Sequence, residues 1–169
     1  MILDFSKIKL IPGGKLEFQF EEALDPLAYG FGEFQLKEAV SCQGQALHAE
    51  GSFRVEGQYH TMTELSCSRC GQLFQSPAAG EFSVCFVSGN QVDWDGEQDL
   101  YELSGDAADL GPVIAGEIFF SLPMQPLCRE DCRGLCPHCG INLNENSCSC
   151  REEEIDPRWE KLKDLLNQD

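Results

Sequence analysis

Between Leu16 and Phe20 apolar and polar residues alternate strictly, Leu16-Glu17-Phe18-Gln19-Phe20, the period of a strand with one face buried and one in water. Ile2 to Ile11 alternates more loosely. Glu21 to Gly32, punctuated by Pro26, Gly30 and Gly32, reads as a connection with room for one helical turn. Four further strand-like runs follow, Phe34 to Val40, Ala46 to Val55, Tyr59 to Ser66 and Glu81 to Val87. Gln43-Gly44, Glu56-Gly57 and the stretch from Cys67 to Gly80 are the predicted turns. Connections this short predict antiparallel pairing, because parallel neighbours need a crossover of about a dozen residues or more.

The period changes at Asp109. Leu110, Val113, Ile114, Ile118 and Leu122 recur at helical spacing, with Asp109 as a cap and Pro112 in the first turn, and Pro123 and Pro126 end the run. A second helix start lies at Ile155-Asp156-Pro157, with Trp159, Leu162, Leu165 and Leu166 on one face. That face docks on the body or the lobe, or offers itself to a partner. The expected fold class is α+β: an antiparallel sheet or partly closed barrel, one packed helix, a small cysteine-rich zinc lobe and a terminal helix. The expected division is a β-rich core over residues 1–126, the lobe over 127–151 and the amphipathic helix over 152–169.

Charge narrows the partners. Twelve Lys and Arg stand against 29 Asp and Glu, a formal charge of −17. Such a surface repels phosphate backbones and favours a basic protein partner. From Cys70 to Cys128 there is no basic residue, and Gln91 to Asp109 concentrates Asp93, Asp95, Glu97, Asp99, Glu102, Asp106 and Asp109. Asp93-Trp94-Asp95-Gly96-Glu97 lacks the spacing and closing Glu of a calcium loop, so this stretch reads as a solvated acidic loop. Its Trp94, Leu100, Tyr101 and Leu103 are expected to fold back on the sheet. No secretion signal or run of about 20 apolar residues is present, so a cytoplasmic protein with no membrane contact is expected.

Ten cysteines in a reducing compartment point to metal rather than disulfides. Six of them lie between Cys128 and Cys150, spaced C-x3-C-x3-C-x2-C-G-x7-C-x-C. In Cys136-Pro137-His138-Cys139-Gly140 the C-x2-C turn aims two sulfurs at one point, and the glycine lets the backbone curl round them. Cys136 and Cys139 are thus the first pair of a closed, structural zinc site. Cys148 and Cys150 form the natural second pair, and Cys128 and Cys132 compete for that role. Cys67-Ser68-Arg69-Cys70-Gly71 repeats the knuckle between two predicted strands, a setting that disfavours a thioredoxin-type pair. Cys67 and Cys70 need further ligands, which Cys128 and Cys132, or Cys85, could supply. One structural Zn²⁺ is expected, and eight cysteines allow a second. Cys42 and Cys85 otherwise read as buried thiols. His138 is expected to be exposed, and no hydrolase, zincin or Walker motif occurs, so an enzyme is not expected.

Three blocks in order carry a resemblance. They are Leu65-Ser66-Cys67-Ser68-Arg69-Cys70-Gly71; Asp109-Leu110-Gly111-Pro112-Val113 running on to Leu122-Pro123-Met124-Gln125-Pro126-Leu127-Cys128; and the run from Cys132 to Asn144 with Cys148-Ser149-Cys150 and Ile155-Asp156-Pro157-Arg158-Trp159. Together they resemble the YceD family, the large ribosomal RNA subunit accumulation proteins. The resemblance implies a non-enzymatic bacterial or plastid factor supporting accumulation of 23S rRNA through its synthesis, processing or stability. Family genes often neighbour that of ribosomal protein L32. The charge of −17 adds that such a factor would hold a basic large-subunit protein (L32 is a candidate) or a pre-50S particle, its contact with 23S rRNA being indirect. The acidic stretch Gln91–Asp109 would then be the face for the basic partner. A direct RNA-binding zinc module and a thiol oxidoreductase using Cys67 and Cys70 are the competing readings.

Overall fold

A computed structural model describes residues 1–32, 34–49, 51–87 and 99–150. The elements in order are β1 (Ile2–Asp4), β2 (Lys15–Glu22), a 3-10 turn (Pro26–Tyr29), β3 (Gln35–Leu36), β4 (Val40–Ala49), β5 (Ser52–Ser66), β6 (Leu73–Val87), β7 (Asp99–Glu102), β8 (Ala107–Asp109) and α1 (Gly111–Ser121). The main sheet runs β2-β4-β5-β6-β7, and β3 takes over beside β5 where β4 has not yet begun. β1 and β8 form a separate two-stranded pair. Both sheets are open, so among the described residues the fold is mostly sheet with one α-helix, and no partly closed barrel forms. The expected terminal helix and the first part of the acidic loop, residues 91–98 with Trp94, lie outside the described residues.

The three main strands of the meander are longer than the alternation predicts. The predicted turns at Gln43-Gly44 and Glu56-Gly57 lie inside strands, where Gly44 and Gly57 face each other across β4 and β5. The chain reverses instead between Ala49 and Ser52, where Gly51 takes φ 84°. The reason is room. A Cβ on Gly44 would overlap the Glu56 carbonyl oxygen and lie 2.6 Å from the Gly57 Cα, and one on Gly57 would meet the Phe82 ring at 2.9 Å. Glycine is required here by close approach, not by a turn. Likewise β6 begins at Leu73, which shortens the predicted Cys67–Gly80 turn to residues 67–72. Among the described residues the one departure from antiparallel pairing is β7, which runs parallel to β6.

One face of the sheet carries the core. Leu110 at the cap of α1 and Ile114 and Ile118 within it are fully buried, each burial contributing about 2–3 kcal/mol. The helix lies against β6, and Tyr59 Oη donates to the Glu117 carbonyl at 3.1 Å. Phe5 stacks on Phe53 at 4.3 Å, closing the same core from the N-terminal side. Asp109 does assist the start of α1: its carboxylate accepts from Gly111 N–H at 2.8 Å, although Leu110 occupies the cap position. Tyr101 and Leu103 pack against this core, as expected of that stretch, while Leu100 is exposed. No helix among the described residues is long and apolar enough to cross a membrane.

Candidate metal centres

The β5–β6 connection is a knuckle. Cys67 N–H donates to the Gln72 carbonyl at 2.9 Å and Gly71 N–H to the Cys67 carbonyl at 2.8 Å, with Gly71 at φ 71°. The same three features recur at Cys136: its N–H donates to Ile141 O at 2.9 Å, Gly140 N–H returns to Cys136 O at 2.9 Å, and Gly140 sits at φ 71°. Sequence identity at C-x2-C-G thus becomes identity of backbone. In each knuckle the left-handed glycine turns the chain so that N–H groups face the sulfurs.

Each knuckle receives a second pair of cysteines. Cys67 and Cys70 meet Cys128 and Cys132, and Cys136 and Cys139 meet Cys148 and Cys150. Within each set all four sulfurs lie within 4.8 Å of one another. Cys128 and Cys132 therefore join the hairpin knuckle rather than the C-terminal one. Cys85 belongs to neither set; it is buried on β6, and Cys42 is buried with its thiol pushed by desolvation up to about 11. His138 is exposed and outside both clusters. All ten cysteines are free thiols. Cys67 and Cys132 sulfurs are 3.8 Å apart and Cys70 and Cys128 sulfurs 3.7 Å. Four sulfurs about 2.3 Å from a tetrahedral centre stand about 3.8 Å apart, so the inner set fits a closed four-thiolate metal centre. The sets differ in exposure. Cys67, Cys70 and Cys132 are buried, whereas Cys139 and Cys150 are exposed.

The inner set ties the lobe to the sheet. Ser68 N–H donates to Pro126 O at 2.8 Å and Leu135 N–H to Arg69 O at 3.2 Å. The Arg69 guanidinium donates to Cys132 O at 2.8 Å. Two residues in this network escape a reading of motifs. Arg69 bridges the knuckle to the lobe, and Asn144 Nδ2 donates to the Cys132 sulfur at 3.3 Å while its Oδ1 accepts from Arg133 N–H at 2.8 Å. Such outer hydrogen bonds orient a thiolate and moderate its charge. The only trace of Asn144 in the sequence is the amide-rich turn Asn142-Leu143-Asn144 after the second knuckle.

The thiols of each set are driven apart. The main-chain N–H of Cys128, joined by those of Cys70 and Arg69, brings Cys67 down to about 6. The N–H groups of Cys139 and His138 bring Cys136 down to about 6. Burial raises Cys132, but the Asn144 amide and the Gly134 N–H outweigh it and leave that thiol lowered. Burial and the neighbouring thiols push Cys128 up to about 12, and contact with Cys139 followed by burial pushes Cys150 to about 12. At neutral pH each set therefore holds at least one proton that a metal must displace. Metal uptake is expected to release at least one proton per site. Affinity should fall with pH, most steeply below about 6, where Cys67 and Cys136 also take up protons. Competition with a chromophoric chelator between about pH 8 and pH 5 measures this, and a pH-independent affinity would exclude thiolate coordination.

A sheet protein with two four-cysteine centres, one welding a lobe to a hairpin, is the class these features define. The family model described as large ribosomal RNA subunit accumulation protein YceD matches residues 55–166, a span that includes both knuckles. The chain belongs to the YceD family. It is 34% identical over 118 residues to an uncharacterized protein of Mycobacterium tuberculosis, covering 66% of this chain and 55% of that one. It is 24% identical over 158 residues to the chloroplastic large ribosomal RNA subunit accumulation protein YCED homolog 1 of Arabidopsis thaliana, covering 76% and 49%. The Zea mays protein of the same description is 25% identical over 136 residues, covering 62% and 46%. The chain spans about half the length of these curated relatives. No solved structure matches it.

Proposed function

We propose that this protein is a non-enzymatic factor supporting accumulation of 23S rRNA and assembly of the large ribosomal subunit. The observation that carries the reading is membership of a family described by large ribosomal RNA subunit accumulation, together with a charge of −17. The charge selects the mode. A surface this acidic is repelled by RNA and attracts the basic proteins that RNA will later bind. The protein therefore holds a basic large-subunit protein, L32 being a candidate, or docks on a pre-50S particle through such a protein. The cytoplasm or the equivalent plastid compartment is its place of action.

Zn²⁺ is the metal we assign to both sets: Cys67, Cys70, Cys128 and Cys132 inside, Cys136, Cys139, Cys148 and Cys150 outside. Four thiolates suit its tetrahedral preference and leave no position for substrate, so the ion contributes structural closure. Asn144 and the knuckle N–H groups stabilise the thiolates, and Arg69 holds the Cys132 main chain in place. Drawing Cys67 and Cys70 into a four-sulfur set also weighs against their use as a redox pair.

Affinity purification of the tagged protein from growing cells, split into RNase-treated and untreated halves, tests the reading. Recovery of basic large-subunit proteins that survives RNase is the expected result. Recovery of 23S precursor whose digestion strips away every protein would replace holding by direct RNA contact.

A further inference from the structure

The face of the main sheet opposite α1 carries no element of the described chain, and it is patterned. Two cross-strand rows of polar side chains cross β2, β4, β5 and β6 in register. One is Gln19, Gln43, Gln58 and Glu81; the other is Glu17, Gln45, Glu56 and Ser83. Between them runs the row Phe18, Gly44, Gly57 and Phe82, whose positions face the core side. The two polar rows thus flank a strip of main chain. The result is an open trough of about 920 Å³, continuous at Gln43, Gln58 and Glu81 with a second hollow of about 460 Å³. Strand spacing makes the trough about 14 Å long and its walls about 7 Å apart, the dimensions of a short extended peptide.

Its chemistry selects one sign of ligand. Three carboxylates, Glu17, Glu56 and Glu81, line it, and no lysine or arginine does. The protein already shows how the wall treats a cation: the Arg54 guanidinium, from the next row down, reaches Glu56 at 3.1 Å. The amide wall shows the same habit, with Gln58 Nε2 donating to Glu81 at 3.2 Å. Glutamines add donors and acceptors that match a peptide main chain, whereas phosphates would meet the carboxylates. We propose that this trough is the docking surface for an extended lysine- or arginine-rich protein segment. The inference rests on the basic-partner reading above and places the contact on the sheet instead of the acidic stretch Gln91–Asp109.

The test is an NMR titration of the full, metal-loaded chain with a 12-residue peptide of alternating lysine and glycine at low salt. Amide shifts are expected at residues 17–19, 43–45, 56–58 and 81–83. The combined Glu17→Gln, Glu56→Gln, Glu81→Gln variant should bind about tenfold more weakly, as three lost exposed charge contacts predict. These side chains are solvent-facing, so an unchanged metal content and circular dichroism spectrum will show that the variant folds. Gln45→Lys, which sets a cation in the trough without removing an acid, should weaken binding in the same direction. Shifts confined to residues 99–109, with unchanged affinity in both variants, would overturn the trough and leave the basic-partner reading standing. No binding by the unmodified chain would overturn both. A single-stranded RNA that displaces the peptide from the same amides would overturn the choice of ligand.

Discussion

Cys67→Ser is expected to reduce bound metal from two ions per chain to one and to lower Tm by about 10 °C. The inner set joins positions far apart in sequence, since Cys67 and Cys132 are 65 residues apart. Closing a loop of that length by metal removes much chain entropy from the unfolded state, and its loss returns it. The consequence is local as well as global. Without the inner centre the described lobe is left with contacts such as Ser68 N–H to Pro126 O, the Arg69 bond to Cys132 O and the packing of Leu127 and Phe74. Cys139→Ser should also remove one metal but move Tm far less, because the outer set closes only the stretch from Cys136 to Cys150 and lies half in solvent. Cys85→Ser should retain both metals, as Cys85 lies outside both sets. Mass spectrometry under non-denaturing conditions reads the metal count directly. A Cys67→Ser protein that still holds two metals would refute the inner centre.

Gly44→Val is expected to cost about 3 kcal/mol, among the largest effects of any single change away from the metals. The new side chain would have to enter space held by the Glu56 carbonyl, the Gly57 Cα and, at 2.9 Å, the Phe18 ring. Main chain cannot yield as a flexible side chain can, so β4 and β5 would separate at the centre of the sheet. Gly51→Ala is the control. Its added Cβ would meet nothing within 4 Å, and the cost comes only from φ 84°, about 1 kcal/mol. Urea unfolding of the two variants separates these cases. Equal costs would mean that the Gly44–Gly57 approach is not the tight point described.

Period alone carried much of this architecture. The strict alternation of Leu16–Phe20 falls within β2, and the helical repeat from Leu110 to Ile118 is the buried stripe of α1. Both are local properties, set by which face of one element meets water. Glycine was where that reading went astray. Gly44 and Gly57 look like turn residues because nothing in their neighbours distinguishes a bend from a close approach. Only the opposing strand and the rings of Phe18 and Phe82 make the difference, and those come from elsewhere in the chain. The parallel pairing of β7 with β6 was likewise invisible, since residues 99–102 carry no mark of strand direction.

The cysteines divide in the same way. C-x2-C-G at Cys67 and Cys136 determines a knuckle by itself, because two sulfurs three residues apart and a left-handed glycine are matters of a few dihedral angles. The acidic balance, on which the proposed basic partner rests, is also written in the sequence. Which pair completes which knuckle is not. Cys128 and Cys132 are nearer in sequence to the C-terminal knuckle, yet they serve the hairpin one. Leaving α1, the chain passes the β5–β6 connection and bonds to it through Pro126 and then Leu135. Ligand chemistry is local and pairing is a matter of where the backbone returns, so the tertiary structure alone assigned the two centres.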